Sequence, residues 1–476
     1  MRLNESNLAK IGKLGIKIPR YDRKGLRRAV AHIGLGHFHR AHFLTYMDTL
    51  LSQGDTDWGV FETEIVPMGP SFRDSLPRQD YLYSVLSLSP DGKRSLCVNG
   101  PIMGYSDRPD EVLDVLSSPD TKLVTLTVTE KGYNYDEVTG SLDFTAPGII
   151  HDLSSDDWPQ TVTGFLALAL KKRAEKDAPV TVMSCDNVPE NGSMLRLTVL
   201  AFIERKYPGI LPWVEENTAF PSTMVDRITP GTGKGDLESL SAIYGIEDDA
   251  AVHSESFLQW VIEDKAVTDI PDFSKAGALV VPDVKPYELM KIRLLNGSHS
   301  ALSYPAYMLG IRKVHEAAAD PLIRSFIRGR YMEEITRTLP PVPGMDLDAY
   351  KDELIARFAN PYIADTILRL ASDGSKKIAN AILRPLEESL EKGYEVSAIR
   401  AALSLWEYFY LYKDENGSPM PIDDPLSGRL LAAAASPRDF LCAAGLRRPD
   451  EGLFAKMEED LAFLRGKGVK EFLRRV

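Results

Sequence analysis

From residue 27 to about residue 187 the chain alternates short apolar runs with stretches of helical spacing. RRAVAHIGLG (27–36) reads as a buried strand ending in glycines. FHRAHFLTYMDTLLSQG (38–54) follows as a helix, with Phe38, Ala41, Leu44, Met47 and Leu51 on one face. WGVFETEIV (58–66), YLYSVLSLS (81–89) and TKLVTLTVTEKGY (121–133) read as further strands. A helix over 161–177 leads into the strand VTVMSCDN (180–187). Strand and helix in turn predict an α/β fold: an open, mainly parallel sheet with helices on both faces. Beyond about residue 285 the strand signals stop. Segments 286–317, 320–338, 347–357, 361–372, 375–392, 395–412 and 451–473 all carry helical patterns, and LPPVPG (339–344) and DENGSPMPIDD (414–424) break them. Two domains are expected: an α/β domain over 1–285 and a mainly α-helical C-terminal domain over 286–476.

The balance of charge narrows the partners. Lys and Arg number 56 against 68 Asp and Glu, a net charge of −12. That argues against nucleic acid or an anionic membrane surface as the bulk partner. No apolar run approaches the ~20 residues of a membrane span, and the charged N-terminus lacks a signal-peptide core. Cys97, Cys185 and Cys442 are too scattered for a disulfide framework or a zinc site. A reducing cytoplasm is the expected compartment.

Between the first strand and the first helix lies Gly34-Leu35-Gly36-His37-Phe38-His39-Arg40. Two glycines of the dinucleotide fingerprint are kept, one for a tight turn and one for close approach of a pyrophosphate; His39 replaces the third. Gly34, Gly36, His37, Phe38, His39 and Arg40 are therefore candidate cofactor-binding residues. Glu62 and Glu64, on one face of the second strand, are candidate acceptors for a ribose 2′-hydroxyl. The same stretch supports a rival reading. His37, His39 and His42 form H-x-H-x-x-H, which in a metallohydrolase or ligand-binding protein would use His37 and His39 as ligands. His42 is expected to be structural.

KPYELMKIRLLNGSHSALSYPAYMLG (285–310) reads as a helix with polar groups where a core face should be. At about 100° per residue from Lys291, Glu288 falls near +60°, Asn296 near +140° and His299 near +80°. Lys291 and His299 then share a face about 12 Å apart along the axis. A buried lysine favours its neutral form and can act as a base; an amide can stabilise charge on an oxygen. Asn187, at the end of the 180–187 strand, would project from the ligand-binding edge of the sheet. Asn191 is expected as the N-cap of the next helix.

Taken together, GLGHFHRAH (34–42), RQDYLYSV (78–85), TVTEKGY (127–133), VMSCDNVPENG (182–192), MVDRITP (224–230), LQWVIEDK (258–265), KIRLLNGSHSAL (291–302), LASDGSKKI (370–378) and ENGSPMPIDDP (415–425) resemble the polyol-specific long-chain dehydrogenases. The resemblance runs through nearly the whole chain. It implies a Rossmann-type N-terminal domain followed by a mainly helical one. It also implies a zinc-independent, NAD-dependent oxidoreductase that interconverts a secondary alcohol of a linear polyol or sugar acid and a ketone. By the same resemblance Lys291 is the general base, and Asn187 and Asn296 hold the reacting oxygen. His299 orients substrate and lysine, Glu288 passes the proton towards solvent, and Asp226, Arg369 and Lys377 contact the polyol. Among family members the helical half looks most like those acting on D-mannitol and D-fructose; fructuronate reductase and D-arabinitol 4-dehydrogenase are the alternatives. Where family members preferring NAD carry acidic residues beyond the second strand, this chain has Pro67-Met68-Gly69-Pro70. No Lys or Arg lies between Glu62 and Pro70, so NAD is expected over NADP. The expected partner is a small polyol or ketose, and the expected state a monomer or weak oligomer.

Overall fold

A computed structural model describes residues 1–65, 72–136, 139–413 and 418–476. The Pro67–Pro70 stretch and part of the 415–425 motif lie outside the described residues. The chain divides into two compact units, 1–89 with 93–284, and 90–92 with 285–476.

In the first unit six strands form one parallel sheet: β1 (Arg27–Ile33), β2 (Trp58–Thr63), β3 (Ile102–Ser106), β4 (Leu123–Leu126), β5 (Val180–Ser184) and β6 (Thr218–Ala219). Their order is β3-β2-β1-β4-β5-β6, with every pairing parallel. The order reverses between β1 and β4, so a crevice opens at the C-terminal ends of these strands. Both faces are covered, as a parallel sheet requires. Ala31, Ile33, Val124, Leu126 and Val182 meet Phe165, Leu166, Leu195 and Val199 on one side. Val30, Val60 and Met183 meet Phe43, Leu44, Met47 and Trp260 on the other.

Three sequence expectations change here. The run at 81–89 is a strand (Tyr83–Leu88), but it belongs to a separate three-stranded sheet with Arg94–Asn99 and Val252–Glu255. The third strand of the main sheet is β3, whose Gly104 weakens its strand signal. The 121–133 run stops being a strand after Leu126 and closes in a 3₁₀ turn, Glu130–Tyr133. The helix expected over 38–54 is broken at His42 (φ −108°, ψ −86°) into α1 (His37–Ala41) and α2 (Phe43–Gln53). His42 Nε2–H donates to the Gln259 carbonyl at 2.9 Å and the ring packs edge-on to Trp260, a structural role.

The second unit is helical. Lys285–Met290 runs into a π-helical turn, Lys291–Asn296, and then into α3 (Gly297–Met308). α4 (Ser397–Leu411) packs along α5 (Glu451–Arg475), joined by a Ser404–Asp460 hydrogen bond of 3.2 Å. Among the described residues no helix is long and apolar enough to cross a membrane, and all three cysteines are free thiols.

Glu407 on α4 is fully buried, and neither carboxylate oxygen has a hydrogen-bond partner among the described residues. Burial pushes its pKa up to about 8, with Arg465 opposing and Glu458 adding to the rise. The folded state therefore holds this proton more tightly than the unfolded chain, and stability falls as pH rises from about 4.5 to about 8. Glu407→Gln should flatten that dependence and raise the thermal midpoint more at about pH 8 than at about pH 5. Melting curves at the two pH values check this; an equal shift at both would contradict it.

Candidate active site

The glycine turn is built by the first unit. Gly34 sits at φ +102°, and a Cβ there would lie 2.2 Å from the Thr127 carbonyl oxygen. Its N–H donates to the Thr63 carbonyl at 2.9 Å. Its own carbonyl accepts from the Thr127 hydroxyl (2.8 Å) and the Gly36 N–H (2.8 Å), with His32 Nε2 at 3.0 Å. Gly36 caps α1 at φ −82°, is exposed, and a Cβ added there would meet nothing within 4 Å. The first glycine is thus required by the protein itself, whereas the second leaves open space against the backbone. That combination fits a dinucleotide pyrophosphate.

Beneath the turn the structure corrects part of the sequence reading. His39 and Glu62 are fully buried and face each other, His39 Nε2 to Glu62 Oε1 at 2.9 Å. Burial raises Glu62 to about 7 and holds His39 well below the usual histidine range. The imidazole is consequently neutral, and Glu62 changes protonation state close to neutral pH. Glu62 has no route to a ribose hydroxyl. Arg40 is likewise buried: its Nε reaches the Gly36 carbonyl at 3.3 Å and its guanidinium donates to the Ala250 carbonyl. Side chains of His39, Arg40 and Glu62 therefore form the floor of the turn. His37 and Phe38 are partly exposed beside it. Glu64, just past β2, accepts from the Tyr105 hydroxyl at 2.6 Å and stays near the sheet's C-terminal edge.

The metal reading of His37, His39 and His42 fails on geometry. Among the described residues, the cluster whose ligand atoms come together is His32, His39 and Glu62. In it the two imidazoles stack at 3.2 Å with planes 9° apart. The in-plane lone pairs of two parallel stacked rings lie in separate planes, a poor geometry for one shared ion. His32 already uses both nitrogens, on Thr125 (2.7 Å) and on Gly34 and Thr127.

Further along the crevice edge, Asn187 follows β5 and is exposed. Asn191 does not cap its helix by its side chain; it is buried, donating to the Asp186 and Thr223 carbonyls (2.9 Å each) and accepting from Thr223 N–H (2.9 Å). Asp226 ends the strand Thr223–Asp226 and is buried opposite Gln259.

In the second unit Lys291 opens the π turn and Asn296 closes it. Backbone bonding from i to i+5 widens this turn, so the wheel of about 100° per residue does not carry through 291–296. Lys291 and Glu288 are both buried, each 6% exposed. Arg293 is turned away into a bidentate pair with Glu388 (2.8 and 2.7 Å) and donates to the Thr338 carbonyl at 2.6 Å. His299 lies one helical stretch on, its ring 4.3 Å from that of Phe358. Burial pushes its pKa down to about 3; Asp365 opposes the shift, while Arg369, Arg357 and Lys377 reinforce it. The imidazole is therefore neutral across the working pH range.

Those cations gather around His299 from the 357–377 stretch. Arg369 pairs with Asp365, its Nε to Oδ1 at 2.6 Å. Lys377 donates to the carbonyls of Ser372 (2.6 Å), Leu370 (3.2 Å) and Arg369 (3.4 Å), and burial lowers its pKa. Asp365 and Arg357 were not anticipated; the i,i+4 spacing of Asp365 and Arg369 is the one signal that could have found the first.

Comparison with known proteins places this arrangement. Residues 28–275 match the mannitol dehydrogenase Rossmann domain and residues 283–444 the mannitol dehydrogenase C-terminal domain. A mannitol 2-dehydrogenase of Phaeosphaeria nodorum is 38% identical over 99% of this chain and 84% of its own length. That of Aspergillus oryzae is 38% identical, covering 94% and 92%. Among solved structures, Pseudomonas fluorescens mannitol 2-dehydrogenase in ternary complex with NAD and D-mannitol is 36% identical. It superposes with a TM-score of 0.87 over 100% of this chain and 99% of its own. A substrate-free D-sorbitol dehydrogenase gives 0.91 at 31% identity over 99% and 100%. The two matched domains and the full-length relatives together establish that this chain belongs to the mannitol dehydrogenase family.

Proposed function

We propose that this chain is an NAD-dependent secondary-alcohol dehydrogenase interconverting D-mannitol and D-fructose. The observation that carries it is the end-to-end likeness to the Pseudomonas fluorescens enzyme. The first unit supports it with strand order β3-β2-β1-β4-β5-β6 and a Gly34–Gly36 turn open at Gly36. Residues 1–285 would serve as the dinucleotide-binding domain and 286–476 as the substrate domain. NAD, when bound, supplies the hydride acceptor. Lys291 Nζ takes the proton of the reacting hydroxyl, and Glu288, one turn earlier, hands it on. Asn187 and Asn296 hold the reacting oxygen, and neutral His299 orients substrate and lysine. Asp226, Arg369 and Lys377 contact the rest of the polyol. Glu64 is the carboxylate left for the ribose, and no metal takes part. We place the protein in the cytoplasm as a monomer or weak oligomer.

The likeness to a D-sorbitol dehydrogenase makes D-sorbitol the nearest competing substrate. The test is a panel of D-mannitol, D-sorbitol, D-arabinitol and D-mannonate with NAD and NADP, after dialysis against chelator. D-mannitol with NAD should give the highest kcat/KM. Turnover of any other member more than about tenfold better, or equal use of NADP, would replace this reading.

A further inference from the structure

Asn187 emerges from a backbone that is pinned on both sides. The Asp186 carboxylate, buried, accepts the Val128 N–H at 2.9 Å, the Thr129 N–H at 2.8 Å and the Tyr133 hydroxyl at 2.7 Å. The carbonyl of the same residue, which forms the peptide bond to Asn187, accepts from Asn191 Nδ2 at 2.9 Å. Ser184, two residues earlier, hydrogen-bonds Tyr133, and its carbonyl accepts from the Thr223 hydroxyl at 2.6 Å. Tyr133, Ser184, Asn191 and Thr223 are all buried.

One member of this network is strained. Thr129 sits at φ +62°, ψ +167°, a region that a β-branched residue rarely adopts. It lies at the exit of β4, next to β5, on the crevice edge of the sheet. The two amides flanking that strain, Val128 and Thr129, are those the carboxylate accepts. Each takes a different oxygen, Oδ2 and Oδ1. An amide side chain offers only one acceptor oxygen, so both bonds need the carboxylate. Backbone strain persists where the surroundings over-determine it, and it gathers at functional sites.

We infer that Asp186 is a positioning residue for Asn187: its carboxylate locks the strained β4 exit to the β5 exit and so fixes where the Asn187 amide points. The inference rests on the proposed role of Asn187 at a substrate oxygen. It adds a residue whose carboxylate is engaged by the β4 exit backbone, together with Tyr133 as its support.

A double-mutant cycle tests it. Asn187→Ala should lower kcat by about a hundredfold, as removal of one oxyanion-binding donor does. Asp186→Asn should lower kcat by more than about threefold, with the NADH dissociation constant within about twofold of wild type. Asp186→Asn combined with Asn187→Ala should be no slower than Asn187→Ala alone, because the positioned group is already gone. Should Asp186→Asn fail to fold, Tyr133→Phe removes one donor and keeps both amide bonds; its loss in kcat should likewise vanish in the Asn187→Ala background. Losses that multiply, or a wild-type kcat in both Asp186→Asn and Tyr133→Phe, would overturn the inference while leaving Asn187 in place. A wild-type rate in Asn187→Ala would instead overturn the role of Asn187, and this inference with it.

Discussion

Lys291→Ala is expected to lose at least about a hundredfold in kcat for polyol oxidation, the usual cost of removing a general base, while NADH still binds. Hydride loss from the alcohol carbon needs the hydroxyl proton to leave, and a neutral amine is the base in reach of that task. Three features of the second unit support the assignment. Lys291 is buried, 6% exposed, on the same turn of helix as the buried Glu288. His299 is pushed down to about 3, so its imidazole is too weak a base to compete. Arg293, two residues on, is held in a bidentate pair by Glu388. Wild-type oxidation should fall towards acid pH, where a general base carries its proton, and His299→Gln should leave that limb in place while lowering the rate. Stopped-flow turnover and NADH fluorescence titration check both halves. A Lys291→Ala enzyme within about threefold of wild-type kcat would mean the base lies elsewhere.

Gly34→Ala is expected to be the most damaging change in the first unit. Its Cβ would fall 2.2 Å from the Thr127 carbonyl oxygen and 3.1 Å from the carbonyl carbon, both backbone atoms of the adjoining strand exit. The positive φ alone costs about 1–3 kcal/mol for a residue with a side chain, and the clash adds to it. Relief requires the turn to leave the hydrogen bonds that Thr63, Thr127 and Gly36 make to Gly34. NADH binding should weaken by more than about tenfold, and the thermal midpoint should fall with it. Gly36→Ala is the control. No protein atom opposes its Cβ, and its φ of −82° suits alanine. It should keep the thermal midpoint and weaken only NADH. Calorimetric melting beside NADH titration separates the two; equal destabilisation by both substitutions would remove the argument that Gly36 is kept open for a ligand.

The parts of this protein that were legible in the sequence are those set by local pattern. β1, β2 and β5 announce themselves as apolar runs, and Gly34 and Gly36 stand where a strand meets a helix. The polar residues of 288–299 stood out because a helix with a lysine, an amide and a histidine along it needs a reason. What stayed hidden depends on partners distant in sequence. Tyr83–Leu88 and Ile102–Ser106 are both plausible strands, and only their pairing decides which joins the main sheet. Glu62 has the sequence position of a ribose ligand, but His39, 23 residues away, faces it in the interior. Neither the π turn at 291–296 nor the strain at Thr129 has a sequence signature, because each is imposed by packing and by the hydrogen bonds of residues such as Asp186.

The central claim is that hydride passes directly from a carbinol carbon of D-mannitol to NAD. D-mannitol deuterated at C2 and C5 makes both equivalent reacting positions carry label, so mass spectrometry of the products reads the transfer directly. The account predicts NADH one mass unit heavier, one equivalent per fructose formed, and a slowed chemical step in single turnover. NADH without deuterium, or fructose formed with no reduced cofactor, would contradict it.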